Sequence, residues 1–349
     1  MVEPAGAKGE TTAERVPPGG YLILTALVGG AVAGGGHLAV AQGAMAGLVA
    51  VGVFSALRKT RPDLIEADRA EKALLWALLA GVMVALAGTV PLPAWVLDFL
   101  SPFTARPWWT AETVHARAVS VVPEATFECL VLAAAGAMGY FWGRTYLAPG
   151  AARFLRLFFY SAAVVAAVSV VLYAIGMEPT AGLPANTSLR LRGFFSNPNR
   201  FAVWMSMSLI AGAAWYLDRN RPEKESIVCI AGLAALFAAM TLTASRGTFI
   251  ALAVVTILML WALRKGDFRG RLLFFMGAVP VAGLIAAAFL YPRLMALPEE
   301  IRRTDVWLAA LGAAADFPIL GSGLGTFGEV FSRYQPQDVQ LFYRHAHNE

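Results

Sequence analysis

Apolar residues run along this chain in long unbroken blocks, without the alternation of a strand or the one-sided stripe of a soluble helix. The blocks cover 21–57, 72–90, 126–143, 155–175, 199–217, 226–263 and 271–291. About 20 mostly apolar residues cross the hydrocarbon core of a bilayer, so 21–57 and 226–263 are too long for one crossing. Each is interrupted, by Gly34-Gly35-Gly36-His37 in the first and Thr243-Ala244-Ser245-Arg246-Gly247 in the second. An arginine at mid-bilayer costs at least about 2.5–3.5 kcal/mol, which puts Arg246 at the tip of a hairpin. The pattern predicts an all-α fold: a polytopic transmembrane helical bundle of about nine spans. Residues 1–20 form a polar tail, 21–291 the bundle, and 292–349 an outward-facing, partly helical segment. A helix is expected over 299–315, with Trp307, Leu308 and Leu311 apolar, ended by Asp316-Phe317-Pro318.

Composition agrees with this reading. Hydrophobic residues make up 58% of the chain and charged ones 15%, against about 25% charged in soluble domains. The tail carries Glu3, Lys8, Glu10, Glu14 and Arg15, a mixed charge that does not read as a cleavable signal peptide. Cys129 and Cys229 lie inside apolar blocks and read as small buried hydrophobes. The basic balance of the chain tracks topology. Arg58, Lys59, Arg61, Arg69 and Lys72 fill one loop, and Arg144, Arg153 and Arg156 the next of the same set. Arg219, Arg221 and Lys224, then Arg264, Lys265, Arg269 and Arg271, complete that set. Lysine and arginine collect in cytoplasmic loops, so the amino terminus is expected in the cytoplasm. The sparse loops, 91–125, 176–198, 243–247 and 292–349, then face outward. Loop 91–125 is rich in proline and tryptophan and reads as short pieces at the membrane surface. The net charge of +5 is therefore a topology signal and not a nucleic-acid footprint.

Three polar clusters fall on the outward side. The first is Arg190-Leu191-Arg192-Gly193-Phe194-Phe195-Ser196-Asn197-Pro198-Asn199. Asparagine around a proline suits a helix start, and the arginines could equally snorkel to headgroups. The second is Ser245-Arg246-Gly247, where a lone arginine could be an interfacial anchor. The third is His345-Ala346-His347-Asn348-Glu349, preceded by Gly321-Ser322-Gly323-Leu324-Gly325-Thr326-Phe327. The other histidines are His37 and His115, and no cysteine or aspartate completes a ligand set, so no metal site is expected. The glycine run does not follow a strand and reads as a turn, not a nucleotide loop. Together the clusters put guanidinium and imidazole groups on one aqueous face. Arginine offers a planar fork for phosphate oxygens, and histidine takes a proton near neutral pH. That pairing suits transfer from a phosphate-activated donor to an alcohol.

Arg-x-x-Gly-x-Phe-x-Asn-Pro-Asn at 190–199, Ser-Arg-Gly at 245–247, Phe-Pro-Ile-Leu-Gly-Ser-Gly-Leu-Gly-Thr-Phe at 317–327 and His-Ala-His-Asn at 345–348 resemble the bacterial O-antigen ligase and polymerase family. The resemblance runs from about residue 70 to the end and is specific for the superfamily, not for one member. It implies a metal-independent, inverting glycosyltransferase without a cofactor, in the cell inner membrane with its active face periplasmic. The donor it implies is a glycan on undecaprenyl diphosphate. The acceptor is lipid A-core for a ligase, or another glycan for an O-antigen or exopolysaccharide polymerase. By motif position Arg190, Arg246 and His347 carry the catalytic roles. Arg192, Asn197, Asn199, His345 and Asn348 are the expected substrate-binding residues. Members of the family continue past the His-Asn motif into further membrane helices, so the resemblance also implies a chain truncated at its C-terminus.

A transporter of lipid-linked sugar is the rival from another class. Ion-coupled transporters hold carboxylates within their helices, whereas here Glu128, with Glu124 near it, is the exception in the apolar blocks. A purely structural scaffold explains the hydrophobicity but leaves the arginines and histidines without a role.

Overall fold

The structure is a computed structural model that describes residues 15–34, 39–59, 69–101, 116–177, 190–217, 222–263, 303–318 and 320–335. The first apolar block divides into α1 (Gly20–Val32) and α2 (Ala39–Lys59). The following helices are α3 (Arg69–Ala87), α4 (Ala94–Leu100), α5 (Pro123–Tyr146), α6 (Ala151–Ala174) and α7 (Pro198–Leu217). The block 226–263 divides into α8 (Ser226–Leu242) and α9 (Arg246–Leu263) at the expected interruption. Two helices, α10 (Arg303–Asp316) and α11 (Phe327–Phe331), belong to the segment after the bundle. The block 271–291, the ninth span of the sequence reading, lies outside the described residues.

Four helical stretches among the described residues are long and apolar enough to cross a membrane: Val40–Lys59, Pro123–Tyr146, Ala151–Ala174 and Glu223–Leu242. Their surfaces say the same. Val40 is 85% exposed, Ile227 80% and Val164 62%. Such apolar surface is a liability in water and costs nothing against lipid chains. The protein is an all-α, membrane-type bundle.

Local chemistry sets the helix ends. The C-terminus of α6 is closed by Gly176 at φ 72°, with the Met177 N–H donating to the Leu172 carbonyl at 2.8 Å, the left-handed glycine stop. Arg58 in the last turn of α2 complements the helix dipole and lies 5.4 Å over the Phe54 ring. One departure from the sequence reading lies in loop 91–125. Strand β1 (Pro91–Pro93) pairs antiparallel with β2 (Ala116–Ala118), in the register Pro91↔Ala118. Three residues bounded by proline are too short for an alternating pattern to show.

The chain forms two compact units, Met1–Arg61 with Gly139–Ala296, and Pro62–Met138 with Leu297–Glu349. In the first unit α6, α7 and α8 pack on one another, α1 packs on α2 and α6, and α9 packs on α7. The fully buried Phe159 ring of α6 sits against Gly212 of α7 and Gly232 of α8. A Cβ at Gly212 would lie 2.4 Å from that ring, and one at Gly232 2.7 Å from it. Around it Phe158 meets Trp204 edge-on at 5.9 Å, and Phe195 meets Phe201 at 5.4 Å. At the end of the bundle where α6 and α8 begin, Arg156 pairs with Glu225 at 3.5 Å and lies 5.5 Å over the Trp215 ring. Tyr160 donates to the same carboxylate at 3.4 Å.

The second unit holds α3, the ladder, α4, the first two thirds of α5, α10 and α11. Val306 and Phe331 form a small core joining α10 to α11, with Phe327 stacked on Phe331 at 5.0 Å. Tyr334 donates to the Asp316 carboxylate at the end of α10. The glycine run is a loop, with Gly321, Gly323 and Gly325 at φ 69°, 108° and 80°. It lies so close to the start of α5 that a Cβ at Gly323 would stand 2.4 Å from Ser120 Oγ, and one at Gly325 2.5 Å from Cys129 Sγ. The Val121 N–H donates to the Ser322 carbonyl at 2.9 Å, and Thr126 Oγ1 to the Leu324 carbonyl at 2.8 Å.

Replacing Gly212 by leucine forces the Phe159 ring out of its seat. Overpacking of this kind costs about 1–3 kcal/mol, and Phe159→Ala about 3–5 kcal/mol. Thermal unfolding of purified variants is expected to show both midpoints lowered, with Phe159→Ala restoring tolerance to Gly212→Ala.

Candidate functional site

Two of the polar clusters meet at one end of the first unit. Asn197 caps α7: its Oδ1 accepts from the Asn199 N–H at 2.7 Å, and Pro198 supplies the first helical position. The segment before the cap is tied to the α8–α9 turn. The Leu191 N–H donates to the Leu242 carbonyl at 3.0 Å. Arg190 donates through Nε to the Thr243 carbonyl at 2.7 Å and through Nη2 to Asn199 Oδ1. One guanidinium therefore joins the first turn of α7 to the C-terminal end of α8, at residues far apart in sequence.

The turn between α8 and α9 is tight and internally satisfied. Thr243, Ser245 and Thr248 are all buried. Thr243 Oγ1 donates to the Met240 carbonyl at 2.6 Å, and Ser245 Oγ lies 2.9 Å from Thr248 Oγ1. Ala244 is at φ 50°, left-handed backbone that is uncommon outside glycine. The sharp reversal makes Arg246 the first residue of α9. Gly193 supplies a second constrained point at φ 53°. Any Cβ there would come within 2.7 Å of the Phe201 ring and 2.9 Å of Ser169 Oγ. Arg192, next to it, is buried, at 6% exposure.

This end of the unit carries the N-termini of α7 and α9 together, and a helix N-terminus attracts anions. Arg190 lies between them with its plane fixed by two bonds, the geometry in which a guanidinium fork is oriented before a ligand arrives. Arg190, Asn197 and Asn199 are thus brought together, with the backbone of Arg246 starting the neighbouring helix. His345, His347 and Asn348 lie outside the described residues. Sequence reasoning did not single out Thr243, whose carbonyl anchors Arg190, or Ser169, which limits Gly193. A carbonyl acceptor leaves no mark in residue type, so no sequence signal pointed to Thr243. Among the described residues no group of histidine, cysteine and acidic side chains could hold a metal ion.

Comparison with known proteins gives one family. The O-antigen ligase family model matches residues 231–349, a stretch that opens in α8 and takes in the Ser-Arg-Gly turn, the glycine loop and the His-Asn motif. No curated protein matches the chain, and no solved structure does. Over that stretch, about a third of its length, the chain is similar to the O-antigen ligase family.

Proposed function

We propose that the protein is a glycosyltransferase of the outer face of the bacterial inner membrane, acting as an O-antigen ligase. It moves a glycan from undecaprenyl diphosphate to a hydroxyl of lipid A-core. The acceptor oxygen attacks the anomeric carbon and forms the new glycosidic bond. The bond from that carbon to the diphosphate breaks, and undecaprenyl diphosphate leaves with the negative charge. The acceptor proton passes to His347. Arg190 and Arg246 hold the diphosphate and stabilise the charge as it develops. Arg192, Asn197, Asn199, His345 and Asn348 contact or frame the substrates, and the reaction calls on no metal or cofactor.

The observation that carries this reading is the bridge made by Arg190 between the start of α7 and the end of α8. It draws the 190–199 motif and the Ser-Arg-Gly turn into one electropositive end, matched to a diphosphate. The family match supports ligase or related polymerase chemistry. Polymerisation of lipid-linked repeats is the alternative, with the same donor and a different acceptor. Transport of the lipid-linked sugar is the alternative from another class.

The test combines purified protein with undecaprenyl-diphosphate glycan and lipid A-core. Covalent transfer to the core supports the ligase. Glycan extended on the lipid carrier identifies a polymerase, and movement across a vesicle without product identifies a transporter. Loss of one donor to a developing anion costs about 10²–10³ in rate. Arg246→Ala and Arg190→Ala are each expected to lose transfer by that order, with protein levels in the membrane unchanged. Unaltered transfer by Arg246→Ala rejects its role.

Asn199→Ala removes one of the two bonds that orient Arg190 while leaving its charge. Transfer is expected to fall by less than in Arg190→Ala, with the loss greater at low donor concentration. A rate profile against donor concentration measures this directly.

A further inference from the structure

The second unit contains a cleft of about 1180 Å³, larger than the about 300–1,000 Å³ typical of small-molecule pockets. Helices α3 and α5 form its long walls, Ala310, Ala313, Ala314 and Phe317 line it from α10 and its end, and the glycine loop with the start of α11 closes one end. The lining runs from Ala77 on α3 to Gly88 just past its end, and from Thr126 to Ala137 on α5. At about 1.5 Å of rise per residue each wall is about 16 Å long. That is about half of the 30 Å hydrocarbon core of a bilayer, so the cleft is one leaflet deep. Its closed end is where α3 gives way to the connection to α5, because the Ser120 N–H donates to the Gly88 carbonyl at 2.9 Å.

The cleft is chemically quiet. No charged side chain lines it among the described residues. Its hydroxyl protons are spent inside the protein. Thr126 donates to the Leu324 carbonyl, so the Ser120 proton goes to Thr126 at 2.7 Å. Thr326 donates to the Gly323 carbonyl at 2.7 Å, so the Ser322 proton goes to Thr326 at 2.9 Å. A sugar or a phosphate bound here would lose its hydration and find, among the described lining residues, no charged side chain and no uncommitted hydroxyl proton to replace it. A hydrocarbon chain has nothing to lose. The small side of α3 keeps the wall recessed: a Cβ at Gly81 would meet nothing within 4 Å.

We propose that this cleft seats one acyl chain of a glycerophospholipid, drawn from the leaflet on the side of the α3–α5 connection. The depth of a single leaflet selects an acyl chain, since an undecaprenyl chain, with many more carbons in line, exceeds it. The described lining residues include no cation, so they give a diphosphate head no hold. The site is a lipid-binding site of the second unit and shares no residue with the arginine cluster.

The test uses the full chain in nanodiscs of phosphatidylethanolamine and phosphatidylglycerol, with a phospholipid carrying a diazirine at one acyl end. Irradiation and peptide mapping read where the label falls, and a parallel sample carries a diazirine-bearing undecaprenyl phosphate. Phospholipid label is expected to concentrate on 77–88 and 126–137 over the lipid-facing surface of α8. Gly81→Phe, which fills the cleft, is expected to cut that label about tenfold, the loss of one decade of affinity. Gly136→Phe, on α5 away from the lining, is expected to leave it unchanged. Size-exclusion behaviour reports folding, and Ala85→Leu replaces Gly81→Phe if that variant aggregates. Label spread evenly over all helices, label insensitive to the filling variant, or preferential capture of the undecaprenyl probe would each overturn the proposal.

Discussion

A guanidinium group cannot lie half-buried at the end of a membrane bundle unless its donors are met, and Arg190 meets this demand by reaching two helices at once. The carbonyl it takes from Thr243 is one that the C-terminus of α8 leaves without an intrahelical partner. The amide oxygen it takes from Asn199 belongs to the first turn of α7. Each helix end supplies what the arginine lacks, and the arginine joins ends that the chain connects only through distant segments. The tight turn at 243–245, the cap at Asn197 and the left-handed Gly193 all follow from holding the 190–199 segment against that turn. Moving any one of them displaces the charge.

The same end gathers features that favour an anion for separate reasons. Helix N-termini contribute partial positive charge through oriented N–H groups, and arginine contributes a full charge through a planar fork. Their coincidence is a consequence of antiparallel packing. Because α7 begins where α8 ends, and α9 begins directly after, two N-termini and the residues flanking them are delivered to one aqueous boundary. At the opposite end, Arg156 pairs with Glu225, and Tyr160 donates to the same carboxylate.

Much of the fold was legible because a bilayer imposes a coarse rule: long apolar stretches become helices, and their interruptions become turns. The break before Arg246 and the helix ending at Asp316 could be read in that way. The β1–β2 ladder could not, since three-residue strands beside prolines carry no period. The candidate site was half legible. Residue types such as Arg190 and Asn199 announce polar chemistry in an apolar chain, but their mutual contact is set by register between helices, which sequence pattern does not encode. Thr243 acts through its backbone and Gly193 through a missing Cβ, so neither advertises its part.

The seat of Phe159 has a mechanical consequence. Its ring occupies notches that only glycine can provide on two neighbouring helices at once, like a pin through two aligned holes. For α7 or α8 to slide along α6, the ring would have to climb over the adjacent side chains of both partners together. The three helices therefore keep a single axial alignment, and thermal motion in this part of the bundle is confined to small tilts rather than piston-like travel.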